Sequence, residues 1–240
     1  MGPHDEAVSR GLSDLFHYDG GNLSVYASMV RALDAAVGQV LQTLDKAGQG
    51  DDTIVIFTSD NGGERFSKMW PFSGQKTELL EGGLRVPTLL RYRRDLSSPR
   101  VVDQVQISMD WLPTLLAAVG GSVHPDYPSD GHDLWPVLSG RKPSYPRTLF
   151  WRYKANAQRA LRDGNFKYLK INENEFLFDV VVDPRERANL RHRNSQTFER
   201  LRAQWLELDR EFLPLSEDVF SHGLSPDIQA DHYVPEHKSR

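Results

Sequence analysis

The sequence predicts an α/β fold followed by a small antiparallel sheet covered by a C-terminal helix. Three observations carry this expectation. A helical stretch leads into a β-branched apolar run at residues 53–58. A second strand-plus-helix step follows at residues 85–119. Near Tyr145 the texture changes to short segments of mixed polarity separated by turn signals.

Taken in order, residues 1–22 are polar, end in Asp19-Gly20-Gly21-Asn22 and read as a loop. Ser24 is the expected N-cap of a helix running to about Ala47, in which Met29, Val30, Leu33, Val37, Val40, Leu41 and Leu44 recur at helical spacing. Gly48 supplies its stop. The run Thr53-Ile54-Val55-Ile56-Phe57-Thr58 suits a strand buried on both faces of a parallel sheet, with the helix before it as a crossover. That strand ends in Ser59-Asp60-Asn61-Gly62-Gly63, and the carboxyl ends of strands in open α/β sheets are where ligands collect. After a loop to about Gly83, Arg85 to Arg91 begins a further strand. Asp110 then caps a helix that holds Pro113 in its first turn and presents Leu115, Leu116 and Val119 to a core before Gly120-Gly121 ends it.

Beyond Tyr145, residues 148–153, 159–162, 166–171 and 176–182 alternate as strands. Asp163-Gly164-Asn165 and Asn172-Glu173-Asn174 mark turns between the last three, which predicts an antiparallel meander. Phe198, Leu201, Trp205, Leu208 and Phe212 form an apolar stripe on a helix that covers one face of this sheet. From Leu213 onward the sequence has no period and reads as a loose tail. The expected organisation is an α/β portion at 1–144, a small sheet-plus-helix domain at 145–213 and a tail at 214–240.

Composition narrows the function. With 240 residues, 39% hydrophobic and 26% charged, the chain has the balance of a folded protein. Lys+Arg number 29 against 33 Asp+Glu, for a net charge of −4, so no basic excess exists to neutralise a nucleic-acid backbone. The absence of cysteine removes disulfides, thiolate nucleophiles and Cys-based zinc sites. No apolar run reaches the roughly 18 residues of a membrane span. The first residues lack the basic and apolar regions of a leader, so any export signal of a longer parent is expected upstream of Met1.

Asp60 and Asn61 offer a carboxylate and an amide oxygen, the hard donors that Ca²⁺ or Mg²⁺ takes; read alone, the same residues make an ordinary Asx-Gly turn. Their context is Ser73-Gly74-Gln75-Lys76, then Glu81-Gly82-Gly83-Leu84-Arg85-Val86-Pro87. In this order the three blocks resemble the type I sulfatases (arylsulfatases), which show Ser-Asp-Asn-Gly after a strand, then Gly-x-Lys, then Glu-Gly-Gly-x-Arg-Val-Pro. Further matches are Tyr26-Ala27-Ser28-Met29-Val30, Met109-Asp110-Trp111-Leu112-Pro113-Thr114, Asp130-Gly131-His132-Asp133-Leu134-Trp135-Pro136, and Asp183-Pro184-Arg185-Glu186. The likeness spans roughly residues 24–212.

The resemblance implies the C-terminal part of an alkaline-phosphatase-like α/β/α sandwich. It implies one divalent cation, usually calcium with Mg²⁺ as the alternative, for which Asp60 and Asn61 are two of the ligands. It also implies that Lys76 contacts a sulfate ester substrate, that Glu81 and Arg85 are structural supports, and that the intact protein is periplasmic or secreted. The nucleophile of the family, a Cys or Ser in Cys/Ser-x-Pro-x-Arg that is oxidised to formylglycine, is absent. Ser144-Tyr145-Pro146-Arg147 and Ser97-Ser98-Pro99-Arg100 each place the arginine one position early. Asp51-Asp52 precedes a strand rather than following one and reads as a solvated turn. Neither His4 nor His17 is followed by proline as the family's active-site histidine is, and the other histidines lack zinc spacing. Trp70-Pro71-Phe72 either shapes a substrate pocket or packs, and the basic clusters at 91–94 and 185–193 read as solvated faces.

The expectation is therefore a sulfuric ester hydrolase fragment that holds part of the metal and sulfate site and is catalytically incomplete by itself. The alternatives are a phosphatase, phosphodiesterase or phosphonate hydrolase of the same superfamily, and a non-catalytic remnant or binding module. Self-association through an exposed sheet edge is a further expectation.

Overall fold

The computed structural model describes residues 22–64, 66–96 and 98–214. The expected N-terminal loop up to Gly21, the tail beyond Pro214, and His4, His17, His222, His232 and His237 lie outside the described residues.

Helix α1 spans Leu23–Lys46. Its N-cap is Asn22 rather than Ser24: the Asn22 side chain accepts the Val25 N–H at 3.0 Å, which leaves Ser24 inside the first turn. Lys46 sits favourably at the negative end of the helix dipole, and Gly48 takes the left-handed φ of 69° that ends it. The expected apolar positions are present at helical spacing, but none of the α1 residues is buried; Met29, Val30, Leu33 and Val40 are exposed. The expectation of a packed helix is thus corrected: Val37, Leu41 and Leu44 are only half-buried, and the rest of the stripe is open.

Strand β1, Val55–Thr58, pairs antiparallel with β2, Thr88–Arg91, from Val55 opposite Arg91 to Thr58 opposite Thr88. This corrects the reading of a strand buried on both faces of a parallel sheet, since Val55 and Ile56 are half-buried and Phe57 and Thr58 are exposed. A continuous apolar run signals that a strand has something to cover, but not the direction of its neighbour. Here residues 59–87 turn the chain back beside itself, so β2 arrives in the opposite sense and completes the hydrogen-bonded ladder. The short helix α2 (Glu81–Leu84) precedes β2, and between β2 and the C-terminal sheet come a 3₁₀ turn (Ser108–Asp110), helix α3 (Trp111–Ala118) and the short helix α4 (Trp135–Leu138). Ile54 and Ile56 face Leu112, Leu115, Leu116 and Val119 across an open apolar groove of about 400 Å³.

Asp110 holds the N-cap position of α3, but its side chain makes no cap bond to that helix. It is fully buried, and its carboxylate forms a two-pronged pair with Arg147 (2.6 and 3.0 Å) while accepting the backbone N–H groups of Ile107 and His132, each at 2.8 Å. Charge-assisted bonds occupy both oxygens, which is the condition under which a buried ion pair is tolerated. Arg147, at the end of one of the near-miss nucleophile motifs, is thereby a structural residue joining the start of α3 to the start of the C-terminal sheet.

That sheet runs in the order β3 (Thr148–Tyr153), β4 (Gln158–Asp163), β5 (Phe166–Ile171) and β6 (Asn174–Asp179), all antiparallel, as the turn signals predict. Strand alternation divides it into two working faces. Leu161, Tyr168 and Leu177 point to helix α5, Ser195–Asp209, and form a core with its Phe198, Leu201 and Trp205. Ala160, Leu169 and Phe178 point the other way and pack with Leu79, Leu80 and Leu84, from the segment that follows Lys76. On the helical side Tyr168 donates to Glu175 at 2.8 Å, and Arg202 of α5 donates to the same oxygen at 2.9 Å. Burial raises the Tyr168 phenol well above its ordinary pKa; burial also pushes Glu175 upward, but these two hydrogen bonds outweigh it and hold the carboxyl below its usual range.

Truncating Trp205, 2% exposed in the centre of this core, is expected to cost about 3–5 kcal/mol as Trp205→Ala. Leu206→Ala, one position away on the exposed face, should stay within about 0.5 kcal/mol. Urea unfolding of both variants checks the assignment, and equal losses would contradict it.

Candidate functional site

The candidate site is built where β1 ends. Asp60 is exposed and Asn61 half-buried, and the chain then passes through Gly62 and Gly63. Gly62 N–H donates to the Gly83 carbonyl at 2.9 Å, and Gly82 N–H donates to the Ser73 carbonyl at 2.7 Å. A Cβ on Gly62 would run into the Gly82 carbonyl, and one on Gly82 would run into the carbonyls of Ser73 and Gly74. Only glycine allows three backbone segments to approach this closely, which explains the Glu-Gly-Gly block in physical terms.

Lys76 enters the same assembly through its backbone: its N–H donates to the Gly63 carbonyl at 2.9 Å, three residues beyond Asp60. The loops bearing Asp60, Asn61 and Lys76 are therefore brought together. The Lys76 amine, 39% exposed, donates to Glu64 at 3.4 Å. An ion pair this open to water contributes no more than about 1 kcal/mol, so it orients the lysine without committing it. Among the described residues no group of three or more His, Cys, Asp or Glu side chains gathers into a metal cage. Asp60 and Asn61 supply hard oxygen donors suited to Ca²⁺, which needs six to eight oxygens, so they fit as part of such a shell.

The turn behind Lys76 is held from the C-terminal sheet. Thr77 has φ of 74°, a left-handed conformation that is a true outlier for a β-branched residue and costs on the order of 1–3 kcal/mol. The amide of Gln158, 2% exposed at the start of β4, donates to the Thr77 carbonyl at 2.9 Å and accepts the Leu79 N–H at 2.8 Å. One step further, the fully buried ammonium of Lys167 lies 3.0 Å from Glu81 and 3.0 Å from Glu186. Glu186 also accepts the Glu81 N–H at 2.6 Å, and Arg162 stands 3.7 Å from Glu81. Burial drives the Glu186 carboxyl above its ordinary pKa, with Lys167 opposing the shift. Burial likewise lowers the Arg162 guanidinium from its usual value. Glu81 is thus a support, as the sequence implied.

Around the rim, Arg185 stacks over Trp70 at 4.6 Å and Arg85 over Phe72 at 4.4 Å, while the Ser73 hydroxyl donates to the Arg185 carbonyl at 2.6 Å. Trp70 is 72% exposed, so its packing is limited to that guanidinium face. Asp51 and Asp52 lie on the surface, where Arg93 meets Asp45 and Asp51 and Arg94 pairs with Asp52, as expected of a solvated turn.

Sequence reasoning missed Glu64, Gln158 and the Lys167 cluster. For Lys167 a signal existed: it alternates with Leu169 and Ile171 on a core-facing row of β5, where a lysine demands a buried partner.

With this geometry in place, the class is that of the alkaline-phosphatase-like mixed α/β proteins, completed by a C-terminal antiparallel sheet. A family model described as Sulfatase matches residues 1–121, and the chain belongs to that family, whose members are hydrolases acting on sulfuric esters and generally use a divalent metal. Human steryl-sulfatase is 28% identical over 243 residues, covering 82% of this chain and 42% of that protein. The crystal structure of Ps i-CgsB in complex with k-i-k-neocarrahexaose matches with a TM-score of 0.71 at 25% identity, over 85% of this chain and 46% of the other. The phosphonate monoester hydrolase of Agrobacterium radiobacter matches with a TM-score of 0.57 at 25% identity, over 80% of this chain and 43% of the other. The chain therefore spans less than half the length of each of these three proteins.

Removing the Lys167 ammonium as Lys167→Met leaves two buried carboxylates without their counter-charge, and an expected loss of about 3–5 kcal/mol is measurable by urea unfolding. The Glu186 contribution has a definite sign. Its folded pKa is raised above the ordinary 4.5, so its stabilisation is complete below that value and is lost as pH rises through the folded pKa. Glu186→Gln should flatten this segment of the stability-versus-pH curve; an unchanged slope would show that another group produces it.

Proposed function

We propose that this chain supplies the metal- and sulfate-contacting part of a sulfuric ester hydrolase site and is catalytically incomplete without the nucleophile-bearing remainder. The observation that carries the reading is the 2.9 Å bond from the Lys76 N–H to the Gly63 carbonyl, which sets a cationic side chain beside the strand end that presents Asp60 and Asn61. A sulfate ester gathers negative charge on its oxygens as the S–O bond breaks, and a fixed ammonium near those oxygens favours that charge. In this reading Asp60 and Asn61 give two ligands to Ca²⁺, which when bound adds further positive charge at the same oxygens. Lys76 then exchanges the weak contact with Glu64 for the sulfate group. Residues 1–144 form the α/β portion and 145–213 the sheet that braces it.

The likeness to a phosphonate monoester hydrolase keeps a second reading in view, because phosphorus and sulfur oxyanions are both tetrahedral. The run Ser59-Asp60-Asn61-Gly62 supports the sulfate reading, as the type I sulfatases show Ser-Asp-Asn-Gly after a strand.

Calcium titrated into the chain should shift the backbone resonances of Asp60 and Asn61, and Asp60→Ala should abolish the response. Inorganic sulfate should perturb the Lys76 side-chain signals more than phosphate does, with affinity falling about tenfold in Lys76→Ala. Calcium shifts confined to other acidic residues would remove the proposed metal ligands. Assayed with an aryl sulfate, the chain alone should give no turnover; metal-dependent turnover would overturn the claim of incompleteness.

A further inference from the structure

We propose that Gln158 is a positioning residue for Lys76: by fixing the carbonyl of the left-handed Thr77 and the N–H of Leu79, the Gln158 amide holds the frame from which Lys76 leaves its loop. This rests on the reading of Lys76 as the sulfate contact.

Gln158 opens β4 on the face that packs against residues 79–84, and its side chain is 2% exposed. Its amide nitrogen donates to the carbonyls of Thr77 (2.9 Å) and Ala155 (3.1 Å), and its oxygen accepts from Leu79 (2.8 Å). Both amide hydrogens and the carbonyl are therefore used, and the two bonds to the turn bracket Glu78. From the other side the Glu78 carboxylate accepts the Gln75 N–H at 3.0 Å, so the turn that carries Lys76 and Thr77 is closed at both ends.

Thr77 is the one residue of this turn whose own chemistry opposes its conformation, with φ of 74° on a β-branched side chain. Leu79, downstream, is anchored in the core beneath the sheet. If φ of Thr77 relaxed to an ordinary negative value, the 76–77 peptide and Lys76 would swing about the Thr77 N–Cα axis. The Lys76 N–H would then leave the Gly63 carbonyl. Gln158 fixes the opposite side of that axis: with the Thr77 carbonyl and the Leu79 N–H held, the strain cannot be released by shifting residues 77–79, and the frame against which the Lys76 N–H meets the Gly63 carbonyl stays in place. A glycine at 77 would adopt the same φ without strain and would need no such hold.

The test uses the full chain, with amide hydrogen exchange and Lys76 side-chain NMR during titration with inorganic sulfate. Gln158→Met is expected to speed exchange of the Lys76 and Leu79 amides by about tenfold, to weaken the Lys76 response to sulfate by about tenfold, and to leave the β5 amides near wild type. Adding Thr77→Gly should restore the Lys76 amide and its sulfate response while Leu79 stays unprotected, a rescue that lost packing alone would not give. If Gln158→Met does not fold, Gln158→Glu serves, read at a pH above the burial-raised pKa of the new carboxyl: ionised, it keeps the acceptor for Leu79 but has no proton to give Thr77, so Lys76 should loosen while Leu79 stays protected. Wild-type behaviour of Lys76 in the Gln158 variants, or no rescue by Thr77→Gly, overturns the proposal. A wild-type Lys76 that ignores sulfate instead overturns the sulfate-contact reading, and the exchange rates still decide whether Gln158 holds the turn.

Discussion

An ammonium withdrawn from solvent must find its counter-charges inside the protein, and Lys167 finds two, Glu81 and Glu186, each at 3.0 Å. Desolvating each ion costs several kcal/mol, so the arrangement survives only when all three arrive together. That requirement couples three remote stretches of chain: the Glu-Gly-Gly block, the middle of β5 and the turn at 183–188. The turn is prepared for its part, because Asp183 accepts the N–H groups of Arg187 (2.7 Å) and Ala188 (2.8 Å) and so presents Glu186 inward. A buried ion pair is weak evidence for stability, but strong evidence for register. Sliding β5 by one residue would turn Lys167 toward the core beneath α5 and strand both acids.

From this constraint the site follows by short steps. Glu81 fixed against the sheet fixes Gly82 and Gly83, whose backbones receive Gly62 and lie against Ser73 and Gly74. These contacts place the strand end with Asp60 and Asn61 against the loop with Lys76. The residues with chemistry to offer are at the surface, and the residues that determine where they stand are buried in the C-terminal sheet. That division suits a site whose charges must meet a ligand while their backbones stay still.

The C-terminal half was the more legible part of the sequence. Its strands alternate, its turns carry Asp163-Gly164-Asn165 and Asn172-Glu173-Asn174, and its helix shows an apolar stripe, so local pattern and tertiary packing agree. The N-terminal part misled because its patterns describe faces that want covering without naming the partner. Residues 53–58 read as a doubly buried parallel strand, yet Val55 pairs with Arg91 in the antiparallel sense. In the site, Asp60, Asn61 and Lys76 were legible through their flanking motifs. Gln158 was not, because a glutamine entering a strand has no signature, and its role exists only once Thr77 has turned to positive φ 81 residues earlier.

The two arms of the site also differ in what holds them. Lys76 stands on a turn tied to the sheet by Gln158 and followed by Leu79 and Leu80 in a closed core. Asp60 and Asn61 stand at the end of a two-stranded ladder whose Phe57 and Leu89 are exposed. A two-stranded ladder with open faces is marginal by itself in water. Beside Asp60 and Asn61 it is tied to the lysine loop by the Gly62 bond to Gly83 and the Lys76 bond to Gly63, so the two arms take their relative placement from these backbone bonds. Loosening the sheet contact would therefore disorder both arms. Loosening the ladder would release Asp60 and Asn61 first and leave the Lys76 turn in place.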